Sequence, residues 1–95
     1  MYARVTSFEV DPARRAELAL KVEAMGPRAK ALPGMIDAYV GWRDDGQGVL
    51  VAVYRDKEAA DAAAAKIQAF WGDLAGLLGR APEINVYDSV VRLTA

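Results

Sequence analysis

The side chains that could do chemistry in this sequence are few, and most sit on segments that read as β-strand. Asn85, Tyr87 and Asp88 lie within Glu83 to Leu93, EINVYDSVVRL. Asn85 and Tyr87 are two apart and share one strand face, while Asp88 takes the other. An amide beside a phenol can fix a polar ligand by hydrogen bonds. Asp37 and Asp88 are the carboxylates inside predicted strands. Either could act as a general base, because burial would raise its pKa toward neutrality. Near the start, Arg4 and Thr6 alternate with Val5 and share a face with Phe8. If that face looks toward the helices, Arg4 could hold an anion and Thr6 could hydrogen-bond it. Tyr54 ends another strand and could line the same space, its hydroxyl a donor. Ala63, Ile67 and Trp71 lie on the second predicted helix, where Trp71 could stack on an aromatic ligand; Trp42, at a strand end, could do the same.

Each candidate also has a plainer reading. Arg4 can sit in water at a strand end, with Thr6 an ordinary β-former. Tyr54, Trp71 and Trp42 can be core or subunit contacts. Asp37 and Asp88 can face solvent or pair with arginine across a dimer. Asp44 and Asp45 belong to a turn. Arg14, Lys21, Arg28 and Lys30 read as solvated helix faces.

What the chain lacks narrows its chemistry further. It has no cysteine and no histidine. Thiolate nucleophiles, disulfides, Fe–S clusters and cysteine zinc sites are excluded. So are the commonest general base at neutral pH, the commonest metal ligand and the usual proximal haem ligand. A carboxylate-only metal site needs clustered Asp and Glu, and no cluster at ligand spacing occurs. Neither a metal nor another cofactor is expected.

Ninety-five residues suit a single domain, 1–95, with one modest core. An apolar content of 54% argues against disorder. The net charge of −1 argues against a nucleic-acid partner. No signal-peptide pattern opens the chain, and no apolar run reaches the roughly 20 residues that span a bilayer. A cytoplasmic protein without membrane association is expected.

The elements that must position these residues can be placed from local signals. Tyr2 to Val10 reads as a strand. Asp11-Pro12 opens a helix: Asp caps free N–H groups, and Pro has no N–H to lose. Leu18, Val22, Met25, Ala29 and Leu32 make one apolar stripe. Gly26-Pro27 is expected to kink or break it, and Pro33-Gly34 ends it. Met35 to Trp42 is a second strand, Arg43 to Gly48 a hairpin loop, and Val49 to Arg55 a third strand, apolar on both faces. Asp56 caps a second helix that runs from Lys57 to about Phe70 or Leu74 and is rich in alanine. Glu83 to Leu93 is the last strand. The order β-α-β-β-α-β predicts an α+β, ferredoxin-like fold, a four-stranded antiparallel sheet with two helices on one face. The uncovered face should still be apolar, and a second copy packing sheet to sheet would bury it.

Three stretches carry a resemblance: DP opening the first helix, LPGM entering the second strand, and VYRDKEAADA crossing into the second helix. With them the chain resembles the antibiotic biosynthesis monooxygenase-like family over nearly its whole length. That resemblance implies a homodimeric α+β barrel with an apolar pocket between helices and sheet, taking a small hydrophobic or aromatic ligand. It implies a cofactor-independent monooxygenase acting on a phenolic or quinol substrate, whose anion reacts with O₂ directly. Alternatives within the same superfamily are a non-catalytic ligand-binding or stress-response module and an oxygen-independent isomerase or lyase. The chain departs from the family at several places. Haem-degrading members pair an Asn with a Trp and a ligating His; the matching positions here are Thr6 and about Ala63, with no His. Other members carry a His near Ala63 and a Glu where this chain has Ala52.

Overall fold

The computed structural model describes residues 1–94; the expected domain also takes in Ala95, which lies outside the described residues. Four strands and two helices follow the predicted order: β1 (Tyr2–Glu9), α1 (Arg15–Lys30), β2 (Met35–Trp42), β3 (Gln47–Tyr54), α2 (Lys57–Leu74) and β4 (Glu83–Tyr87). The sheet is antiparallel throughout, in the order β2-β3-β1-β4. This is the ferredoxin-like α+β arrangement. No helix among the described residues is long and apolar enough to cross a membrane.

Local chemistry accounts for most boundaries. The Asp11 carboxylate accepts from the Ala13 N–H at 2.9 Å, and Pro12–Arg14 form a 3-10 turn that leads into α1. Asp56 caps α2 by accepting from Ala59 N–H at 2.8 Å. Gly46, at φ 88°, lets the β2–β3 turn close with an Arg43 N–H···O Gln47 bond of 2.8 Å. The break expected at Gly26-Pro27 does not occur. Pro27 sits in the last turn of α1, so it removes one ladder bond and leaves little helix beyond it to misdirect.

The last strand is shorter than its sequence suggests. It ends at Tyr87 rather than Leu93. Its partner β1 begins at Tyr2, and Ala3 already pairs with Tyr87, so the neighbour runs out. Asp88 therefore lies in a bend beyond the strand and is exposed.

Strand alternation fixes what faces the helices. On β1 these are Tyr2, Arg4, Thr6 and Phe8; their partners on β3 are Tyr54, Ala52, Leu50 and Gly48. Both helices lie on this side, and the core divides into two clusters. One gathers Tyr2, Leu32, Tyr54, Ala60, Ala63 and Ile67. The other gathers Phe8, Val10, Leu18, Met25, Leu74 and Leu77. Phe70 and Trp71 pack against both. The segment after α2 is pinned to the end of β1 by the Val10–Leu78 bridge and a Gly79 N–H···O Glu9 bond of 2.9 Å.

Phe8 lies over Gly48, and a Cβ at Gly48 would run into the Phe8 ring. That ring cannot swing aside, because it is 2% exposed and its centroid is 5.6 Å from that of Trp71. Gly48→Ala should therefore cost about 1–3 kcal/mol, read as a lower urea midpoint with unchanged slope.

Candidate functional site

Between α1, α2 and the sheet lies a cavity of about 280 Å³. The sheet supplies its floor through Phe8, Val40, Trp42 and Leu50, and the helices supply walls through Val22, Ala29, Phe70 and Trp71. The space exists because the residues opposite the sheet are small: Gly26 and Ala29 on α1 project little into it. Glu23 is the one ionisable side chain on its wall among the described residues, and it is exposed. Arg28 spans the two helices nearby. Its guanidinium carbon stands 4.9 Å from the Phe70 ring centroid, and its Nη2 donates to Asp73 at 3.1 Å. This holds Phe70 in place through a cation–π contact and a solvated ion pair.

Behind the cavity, the helix-facing side of the sheet carries polar atoms without partners. Arg4 Nε, Thr6 Oγ1, Tyr54 Oη and Trp71 Nε1 are all buried, and none has a hydrogen-bond partner among the described residues. Thr6 and Tyr54 are fully buried residues. Burial pushes the Tyr54 phenol above its usual pKa, and the positive charge of Arg4 opposes that shift. Leaving such groups unpaired costs roughly 1–3 kcal/mol each. The four come from β1, β3 and α2, three separate elements that the fold brings together.

The predicted site residues divide into two groups. Arg4, Thr6, Phe8, Tyr54, Ala63, Ile67 and Trp71 all lie on the helix side of the sheet. Among them Phe8 and Trp71 line the 280 Å³ cavity, whereas Ala63 and Ile67 pack in the core cluster around Tyr54. Asn85, Tyr87 and Asp88 are not brought there. Val5 pairs with Asn85 and Ala3 with Tyr87, so these two residues occupy the face turned away from the helices. Asn85, Tyr87 and Asp88 are all exposed. Asp37 is on that same open face, where its carboxylate accepts from the Tyr39 hydroxyl at 2.7 Å. That bond pushes the Tyr39 pKa up. Sequence reasoning missed Val22, Ala29, Val40 and Phe70 as cavity residues. Val22 and Ala29 had shown as an apolar stripe, which reads equally as core.

No protein-family model matches this chain, and no curated protein matches it in sequence. Solved structures do match in fold. A Caulobacter crescentus protein provisionally described as an antibiotic biosynthesis monooxygenase superposes with a TM-score of 0.81 at 19% identity, covering 95% of this chain and 90% of that one. A variant of SnoaB, a cofactor-independent oxygenase from Streptomyces nogalater, gives 0.76 at 22% identity over 99% and 97%. Rv0793 from Mycobacterium tuberculosis gives 0.76 at 22% identity over 97% of each chain. The fold is thus the one found in structures described as antibiotic biosynthesis monooxygenases, and the likeness is one of fold.

Two substitutions test the orphaned hydroxyls. Thr6→Val keeps the shape and removes an unpaired group, so it should raise stability by about 1 kcal/mol in urea unfolding. Tyr54 has a folded pKa above its unfolded value. Its contribution is complete below about pH 10, the unfolded value, and is lost as pH rises through the folded one. Wild type should lose stability faster than Tyr54→Phe above that pH; parallel curves would refute the assignment.

Proposed function

We propose that this chain binds a small aromatic molecule in the 280 Å³ cavity and works as a cofactor-independent monooxygenase on a phenol or quinol. The observation that carries this reading is the cavity itself. It is apolar and walled by two aromatic rings of α2, Phe70 and Trp71. Its volume falls near the lower end for small-molecule sites, which run roughly 300–1,000 Å³. A planar ring system would lie against Phe70 and Trp71, with its edge on Val40 and Leu50.

The chemistry would come from the substrate. Loss of a proton gives an electron-rich anion, and O₂, itself apolar, enters the same space. The carbon transfers an electron to O₂, the two radicals combine, and the hydroperoxide loses water. In a hydroxyanthrone, a phenol with a ring CH₂, that CH₂ becomes C=O, one oxygen atom is retained and the other leaves as water. Glu23, at the mouth, would take the proton. The likeness to a cofactor-independent oxygenase fold supports the reading.

The molecule would work as a homodimer. Val5, Val49, Val51 and Val53 lie on the open face of the sheet, with Tyr39 64% exposed beside them. Past Tyr87 the chain carries Val91 and Leu93, 87% and 96% exposed. A second copy packing sheet to sheet would cover these groups. The open-face Asn85 and Tyr87 would then belong to the interface.

A second reading is favoured by the scarcity of ionisable groups on the cavity wall: a binding module that holds such a ligand without converting it. Oxygen uptake with naphthoquinols and hydroxyanthrones separates the two. The oxygenase reading expects one O₂ consumed per substrate, with Glu23→Gln lowering kcat about a hundred-fold and Ala29→Phe, which fills the cavity, abolishing turnover. Tight binding without uptake would leave the binding module. For the assembly, sedimentation should give a dimer, and Val51→Asp, at the centre of the open face, a monomer. A monomeric wild type would refute the interface.

A further inference from the structure

The 280 Å³ cavity is not closed equally on all sides. Leu18, Met25 and Leu74 close it toward α2, and Phe8 closes it over β1; all four are buried. Phe70, half-buried at the seam between the helices, is capped by the Arg28 guanidinium. The other side differs. On β2 the lining residues Ala38, Val40 and Trp42 are all half-buried, as is Leu50 on β3. β2 is an edge strand, with no further strand beyond it. A second cavity, of about 410 Å³, lies between α2 and β4, walled in part by Ile84 and Val86, and Trp71 borders both spaces.

The periodicity of α1 shows what stands above the β2 side. Lys21 and Arg28 reach α2, donating to the Asp73 carbonyl at 3.5 Å and the Asp73 carboxylate at 3.1 Å. Ala19, Glu23 and Gly26 each lie two residues from one of these, about 200° around the helix, on the flank turned to β2. All three line the cavity, and Glu23 and Gly26 are exposed. A Cβ at Gly26 would meet nothing within 4 Å. Opposite them on β2, Ala38 faces the helices, paired with Ala52. Small residues thus face each other across the gap between α1 and β2, and they leave a slot with apolar sides and one carboxylate, Glu23, on its rim.

We infer that the ligand enters between α1 and the edge strand β2, and that it is an aromatic with an extended apolar substituent that leaves through this slot. The ring fills the inner space against Phe70 and Trp71; the substituent runs out between Ala19 and Ala38. The size of the cavity agrees: small-molecule sites run roughly 300–1,000 Å³, and an open side lets a space of 280 Å³ hold part of a longer molecule. Ala19 and Ala38 then determine which substituents are accepted. The inference rests on the reading of this cavity as an aromatic site and adds the route and the shape of the ligand.

The probes are 2-naphthol and 6-butyl-2-naphthol, followed by calorimetry and by NMR of methyl groups. The butyl compound should bind wild type about ten-fold tighter, because apolar surface leaves water in the slot. Contacts from the butyl protons should appear at the Ala19 and Ala38 methyls. Ala19→Leu and Ala38→Leu, which block the slot from opposite sides, should each bring the ratio of the two affinities from about ten to about one. Gly26 is unsuited to this test, since it precedes Pro27 and a larger residue there resists helical geometry. Should one variant fail to fold, the other carries the test. A ratio that survives in a folded variant would overturn the inference. So would butyl contacts at Phe70 and Ala69, meaning an exit between the helices, or at Ile84 and Val86. In those cases the cavity remains an aromatic site. Failure of both naphthols to bind would overturn the inference together with the aromatic site itself.

Discussion

Much of this molecule depends on where Trp71 sits. The second helix approaches the sheet closely at its start, where Ala59, Ala60 and Ala63 pack around Tyr54. Alanine permits that approach but fills little volume. Two turns later Phe70 and Trp71 must occupy the seam between the two core clusters, and they do so only in part. The helix therefore leaves one cavity toward α1 and another toward β4, with a single indole as the shared wall. Phe8 supports that indole from below and is itself seated on Gly48. The chain of contacts Gly48, Phe8, Trp71 thus sets the shape of both spaces.

The same region departs from the usual rule that buried polar atoms are paired. Arg4, Thr6, Tyr54 and Trp71 each present an unpartnered buried atom on one side of the sheet. In a chain of this size, total stability is of the order of 5–10 kcal/mol. Four such groups weigh heavily against that. An ordinary core would carry valine, phenylalanine or leucine at these positions. Groups that lower stability and share one surface are the pattern expected where a fold keeps polar atoms ready for something else.

Much of the fold could be read from the chain because its punctuation is local. Asp11-Pro12, Pro33-Gly34, Asp45-Gly46 and Asp56 each act on their own few residues and mark a boundary, although β3 begins at Gln47, inside the expected loop, and α1 at Arg15, after a 3-10 turn. The order β-α-β-β-α-β correctly implied an antiparallel sheet with two helices on one face. Four candidate polar residues, Arg4, Thr6, Tyr54 and Trp71, were also legible, since alternation along β1 put Arg4 and Thr6 with Phe8. Asn85 and Tyr87 were not. Alternation says that they share a face, but which face follows from the pairing of Val5 with Asn85, a contact between distant parts of the chain. A register one residue different would have turned both toward the helices. The end of β4 was hidden for a related reason: Val90, Val91 and Leu93 have strand propensity, but β1 offers no residues to pair with them.

The brevity of β4 has a kinetic side. It is an edge strand, five residues long, with every residue exposed, and bonded to β1 alone. Stability is uneven within a domain, and segments with few buried contacts open at lower free energy than the core. Ile84 and Val86 thus form a wall of the second cavity on this short edge strand, while the first cavity is lined by the two helices and by β1, β2 and β3. Molecules would exchange with the two spaces on separate clocks: the outer one governed by fraying of a short strand, the inner one by the lifting of α1 from β2.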